Sequence, residues 1–264
     1  MSYRLTLLGT GSSGGVPRIG NNWGACDPTN PKNRRRRCAA LIDRIHGRGR
    51  TTVLIDTPPD MREQLLGLNI QHVDGVLYTH DHADHTHGID DLRMLTFLMK
   101  KRVDVYFDAR TRDSLLQRFG YCFVSKRGSN YPPILDAHDI HHLRTIVVDG
   151  AGGPIEALPI PCTHGSIDSL AFRIGNVAYS PDVGGLPEAS IEHLRGLDLW
   201  IVDALRYTPH PSHWHVSETL AWIERLRPKR AILTNLHIDL DYATLKRDLP
   251  PNIEPAYDGM QVHF

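Results

Sequence analysis

Residues 78–88 read Tyr-Thr-His-Asp-His-Ala-Asp-His-Thr-His-Gly, and within them His80, His82, Asp84 and His85 form the pattern HxHxDH. Imidazole and carboxylate together are the donors of zinc, manganese or iron sites. The apolar run 75–79 reads as a strand that carries rigid backbone to a sheet edge. In extended backbone, residues two apart project to the same side, so His80 and His82 can face one ion. A turn after them lets Asp84 and His85 address a second position nearby. The competing reading is a solvated polar loop that takes up metal adventitiously. The apolar strand before the cluster and Gly88 after it argue for a built site.

The elements that must position this cluster follow from periodicity and punctuation. Strands are expected at 3–8, 38–45 and 51–56, the last two joined by the hairpin 46–49. A helix is expected at 58–68, with proline near its start, followed by helix 91–99, strand 103–107 and helix 110–119. Residues 120–142 read as an irregular lid or insertion. Runs 145–148, 155–161, 169–174 and 177–180 suggest an antiparallel meander. Helix 187–194, strand 199–202, helix 216–226, strand 230–233 and helix 242–248 complete the pattern. No flexible linker or solenoid repeat interrupts it, and one domain over 1–264 is expected, with two mixed sheets and helices outside.

Composition narrows the class. With 41% hydrophobic and 23% charged residues among 264, a disordered chain is excluded. Thirty basic and thirty acidic side chains cancel, so the chain lacks the global field of a general nucleic-acid binder. The 16 histidines make clustering worth a search, since imidazole is the commonest metal ligand. The four cysteines, Cys26, Cys38, Cys122 and Cys162, form no CxxC pair and nothing selects a disulfide pattern. The opening residues are too short an apolar run for a secretory leader, and no window approaches a membrane span. A cytoplasmic setting without membrane association is expected.

The HxHxDH segment resembles the signature of the metallo-β-lactamase superfamily, an α+β fold built as a four-layer αβ/βα sandwich. The resemblance covers nearly the whole chain. Leu54-Ile55-Asp56-Thr57 resembles the strand-ending Asp motif that precedes the histidines, and 161–165, 179–182 and 233–237 offer His164, Asp182 and His237 in the expected order. The resemblance implies that His80, His82 and His164 hold a first divalent ion. It implies that Asp84, His85 and His237 hold a second, and that Asp182 bridges them. A hydroxide between the ions would be the nucleophile. Taken alone, His164 reads equally as a polar strand end and Asp182 as a turn cap. Relatives carry the late histidine directly after Thr, where this chain has Asn235, so His237 needs a local backbone adjustment.

Asp182 in place of a cysteine separates the chain from the zinc β-lactamases. The strings Leu8-Gly9-Thr10-Gly11-Ser12-Ser13-Gly14-Gly15-Val16-Pro17, 56–62, 88–93 and 239–242 together resemble the phosphoribosyl cyclic phosphate phosphodiesterase group. That branch implies a dinuclear phosphodiesterase for a small or cyclic phosphate ester, with zinc or manganese as metals and iron also compatible. It implies Asp84 and His213 as catalytic residues, and Ser12, Ser13 and His213 against substrate, with His215 as the rival of His213. Alternatives are a tRNA 3′-processing nuclease, a thioester or lactam hydrolase, and a metal-binding accessory protein of cofactor biosynthesis. Nucleic acid is not favoured as a partner, and homo-oligomerisation is left open. Some members hold a remote structural zinc with an N-terminal cysteine cluster. Here Cys26 stands alone and Ile238 replaces the late histidine, so no such site is expected. Cys38 is expected to fill a strand interior. Arg34 to Arg37 read as a solvated basic edge, or else as a phosphate grip. Arg62 and Arg93 are expected to pair with nearby acids.

Overall fold

The computed structural model describes residues 2–125 and 127–264. The chain folds into two compact units: one from the chain up to Thr6, 39–156 and 261–264, the other from 7–38 and 157–260.

The first unit is built on a sheet ordered β14-β1-β2-β3-β4-β5-β6, from β1 (Ser2–Gly9, its start), β2 (Ala39–His46), β3 (Gly49–Ile55), β4 (Gly75–Leu77), β5 (Val103–Phe107), β6 (Leu135–Asp139) and β14 (Gln261–His263). The β2–β3 pair is the expected hairpin, in register from Ala40↔Ile55 to His46↔Gly49, with Gly47 at φ 60° in its turn. β3, β4, β5 and β6 run parallel. Parallel neighbours need crossovers, which α1 (Met61–Gly67), α2 (Ala83–Thr86), α3 (Leu92–Met99) and α4 (Ala109–Phe119) help supply. Val53, Leu54, Ile55, Val76 and Leu77 are all buried, the continuous apolar pattern of strands covered on both faces. A short strand, β7 (Ile146–Val148), follows β6 in the chain.

In the second unit, β8 (Ile155–His164), β9 (Ile167–Ile174) and β10 (Val177–Ser180) form the expected antiparallel meander. β11 (Leu199–Asp203), β12 (Arg230–Thr234) and β13 (Ile253–Pro255) add on parallel to β10. The crossovers carry α5 (Glu188–Ile191), α6 (Val216–Leu226) and α7 (Tyr242–Asp248). α6 and α7 keep the bounds read from the sequence. α6 stops where Arg227 turns left-handed at φ 53°, and α7 starts where Asp241 accepts from the Thr244 N–H.

Three expectations are corrected. The segment 120–142 is not wholly irregular, because Leu135–Asp139 forms β6 beside β5. β6 is an edge strand with one fully buried residue, which hides its periodicity. Two three-residue strands, β13 and β14, were not read from the sequence. The basic run is not a solvated edge throughout. Arg35 is 2% exposed, donating to the carbonyls of Leu240 (2.7 Å) and His237 (3.4 Å), and Arg36 pairs with Asp258 at 3.0 Å. All four cysteines are buried thiols outside any disulfide, and Cys38 lies at the entry to β2. Arg93 pairs with Asp90 at 2.6 Å and Arg62 with Glu63.

Candidate functional site

Both units place their chemistry at the carboxyl ends of strands, mostly parallel ones, where backbone ends and side chains of consecutive turns converge. In the first unit β3 and β4 are paired Ile55↔Leu77, so Asp56 and Thr79 emerge together. Asp56 sits at φ 65° and is fully buried. Its carboxylate accepts from the Thr79 N–H (2.8 Å), the Thr79 hydroxyl (2.8 Å) and His85 Nδ1 (2.7 Å). Burial pushes this carboxyl up, against the pull of His85 and Thr79. The loop is latched by Thr57 N–H to the His85 carbonyl and Gly88 N–H to the Thr57 carbonyl, each 2.8 Å.

Proton bookkeeping then fixes the imidazoles. The Thr79 hydroxyl gives its proton to Asp56, so its oxygen accepts from His80 Nδ1 at 2.9 Å. His85 likewise spends its Nδ1 proton on Asp56. Each ring therefore carries its Nε2 lone pair outward, the carboxylate–histidine arrangement of metal ligands. The rings crowd: His80 lies 4.6 Å from His82 and 4.4 Å from His85, centroid to centroid. Asp84 and His85 stand on α2 rather than in a plain turn, and Asp84 Oδ2 lies 3.6 Å from His85 Nε2.

The second unit repeats the device. His164, the last residue of β8, donates Nδ1–H to the Ser212 carbonyl at 2.8 Å, and its Nε2 lies 3.6 Å from Asp182 Oδ2. β10 and β11 pair Ser180↔Val202, and β11 and β12 pair Asp203↔Thr234. This register brings Asp182, Asp203 and Asn235 to one edge. The Asn235 amide donates to Asp182 and Asp203, both at 3.2 Å. Fully buried Asp203 also accepts from Val183 N–H (2.9 Å) and from His213 Nδ1 (2.7 Å). Burial pushes the Asp203 carboxyl up to about 6, against the opposing pull of His213. The His213 ring lies 4.5 Å from His164 and 5.1 Å from His210. His215 instead pairs with Glu218 at 3.3 Å. His237 stands apart from the Asn235 cluster, its Nδ1 3.1 Å from Asp239 and its Nε2 against Arg18. Burial, with Arg18 adding to it, holds this imidazole below its usual range despite Asp239. On the glycine-rich loop Ser12 is 3% exposed, and its hydroxyl has no hydrogen bond among the described residues; Ser13 is exposed.

The donor set fits divalent ions on its own geometry. Two donors each about 2.1 Å from a tetrahedral ion stand about 3.4 Å apart. The pairs His85–Asp84 and His164–Asp182, both at 3.6 Å, are too long for hydrogen bonds and close to that spacing. Sequence reasoning missed Asp203, Thr79, Asn235 and Arg18. Asp203 carried a signal, an apolar run closing on Asp as in Leu54-Ile55-Asp56, and Asn235 carried another, standing after Thr234 where relatives have the late histidine.

This arrangement is that of an α+β metallo-hydrolase fold. Residues 51–238 match the beta-lactamase superfamily domain, and the chain belongs to that family. It is similar at 36% identity to a solved diphosphatase of the PhnP family, with a TM-score of 0.89 over 100% of this chain and 98% of that one. The metallo-β-lactamase fold protein YhfI of Bacillus subtilis shares the fold at 16% identity, with a TM-score of 0.71 and 100% of each chain covered. An octanoyltransferase of Porphyromonas gingivalis is 32% identical over 263 residues, 98% of this chain and 51% of the relative. The chain thus spans about half the length of that curated relative. Among the described residues no helix is long and apolar enough to cross a membrane.

Proposed function

We propose that the chain is a metal-dependent phosphodiesterase acting on a small or cyclic phosphate ester, working as one catalytic domain in the cytoplasm. In this reading His80, His82 and His164 hold one divalent ion, Asp84, His85 and His237 a second, and Asp182 serves both. Zinc or manganese suits these donors. The observation that carries the reading is the repeated pair of imidazole Nε2 and carboxylate oxygen at 3.6 Å, each ring committed elsewhere through Nδ1. Similarity to the PhnP-family diphosphatase over the full chain supports phosphate as the group acted on. When bound, the ions supply an activated water and offset charge on the phosphoryl oxygens.

The protein's own residues do the rest. Asp56 and Thr79 hold His80 and His85 in the tautomer that binds metal. Asp203 holds the His213 ring through its Nδ1. His213 then gives the Nε2 proton to the departing ester oxygen. The buried Ser12 hydroxyl donates to a phosphate oxygen, with Ser13 at the rim.

Turnover of bis-p-nitrophenyl phosphate and cyclic nucleotides, with zinc or manganese supplied, tests this. Wild type is expected to hydrolyse them and Asp84→Asn to lose at least roughly 10²-fold in rate. Faster turnover of nitrocefin or glutathione thioesters than of any phosphodiester would overturn the substrate class.

A further inference from the structure

His237 has both ring nitrogens committed within the second unit: Nδ1 to Asp239 at 3.1 Å, Nε2 to a guanidinium nitrogen of Arg18. A guanidinium only donates and a carboxylate only accepts. Nδ1 lies 3.1 Å from the Asp239 carboxylate and 3.4 Å from the Asp239 backbone N–H, and because a guanidinium cannot accept, the Nε2 lone pair is the one turned to Arg18. A cationic side chain occupies the one lone pair that the proposed ligand role needs, and a single lone pair cannot serve both.

Arg18 is built to move only at its side chain. Its backbone is bridged to Asn22, N–H to carbonyl at 2.9 Å one way and 3.2 Å the other, and Val16 is bridged to Arg35 just before it. Its stem crosses Gly14, where an added Cβ would stand 3.1 Å from Nε and 3.2 Å from Cγ. The side chain is half-exposed, and no carboxylate among the described residues lies within ion-pair distance of it. A guanidinium released from His237 is a planar fork of donors, and a phosphate oxygen is an anion it fits.

We propose that Arg18 is a substrate-phosphate ligand held in reserve on His237: an ion taking Nε2 frees the guanidinium, which then grips a non-bridging oxygen of the ester. The proposal rests on the reading of His237 as a ligand. It makes ion and phosphate mutually reinforcing, because each favours the released arginine.

The test is calorimetric titration of metal-free protein with Mn²⁺, with and without inorganic phosphate, a readout independent of turnover. In wild type, phosphate is expected to tighten the second ion. Arg18→Ala is expected to bind that ion roughly tenfold tighter without phosphate, since a charged hydrogen bond no longer competes, and to lose the phosphate effect. Gly14→Ala, whose new methyl crowds the arginine stem, should shift both in the same direction. Wild-type affinity and an intact phosphate effect in both variants would overturn the proposal. His237→Asn separates the failures. If it takes up one ion while Arg18→Ala behaves as wild type, only the arginine proposal falls; if it still takes up two, the ligand reading falls with it.

Discussion

At the scale of single residues, the argument turns on where protons sit. His80, His85 and His164 each give Nδ1–H to a fixed acceptor, and His213 gives its own to Asp203 at 2.7 Å. If Asp203 acts through His213, the two are not independent. Asp203→Asn and His213→Ala should each lower phosphodiester turnover by roughly 10²-fold, and the double variant should lose little more than either alone. Multiplicative losses would show two separate roles. Circular dichroism and ion stoichiometry of the variants distinguish a lost proton donor from a lost fold. The HxHxDH ligands were legible because four donors fall within six residues of sequence. The pairing of Asp203 with Asn235 was not, because each is a single polar residue after an apolar strand, and only the parallel register Asp203↔Thr234 brings them together. Arg18 was illegible for a different reason: its partner lies 219 positions away.

At the scale of elements, turn chemistry decides what holds. Gly88 packs so closely that an added Cβ would come 2.2 Å from the Pro58 carbonyl oxygen, a backbone atom that cannot step aside cheaply. Gly88→Ala is expected to cost about 1–3 kcal/mol of stability, the range for overpacking, and to loosen the loop that carries His85. Thermal unfolding compared with wild type measures the first effect, and an unchanged Tm would refute it. At the start of α7, burial alone would raise the Asp241 carboxyl. Hydrogen bonds from the Thr244 and Asp27 N–H groups and the Asn33 amide outweigh it and hold the group at about 2. A folded-state value below the ordinary one means that the carboxylate stabilises the fold above its ordinary range and stops doing so as pH falls towards 2. The Tm advantage of wild type over Asp241→Asn should therefore be constant near neutrality and shrink between about pH 4 and 2. An advantage that grows with acid would contradict the sign. The Asp241 cap marks the start of α7, which was legible to the residue. β6 was not, since an edge strand of sequence Leu-Asp-Ala-His-Asp shows solvent most of its side chains.

At the scale of the whole molecule, order along the chain and grouping in space diverge. Each compact unit is assembled from separate stretches of chain, and the proposed ligands divide between them: His80, His82, Asp84 and His85 in one, His164, Asp182 and His237 in the other. Residue spacing revealed the first group on its own, whereas the second needed the family resemblance, because its members are scattered over 74 positions of sequence. Substitution of a proposed ligand in either group should release metal. The most direct measurement is a titration of metal-free protein with Mn²⁺ in which bound ions and bis-p-nitrophenyl phosphate turnover are read from the same samples. Turnover is expected to appear with the second equivalent bound and to vanish on chelation. Protein that takes up no ion, or hydrolyses the ester equally well after chelation, would contradict it.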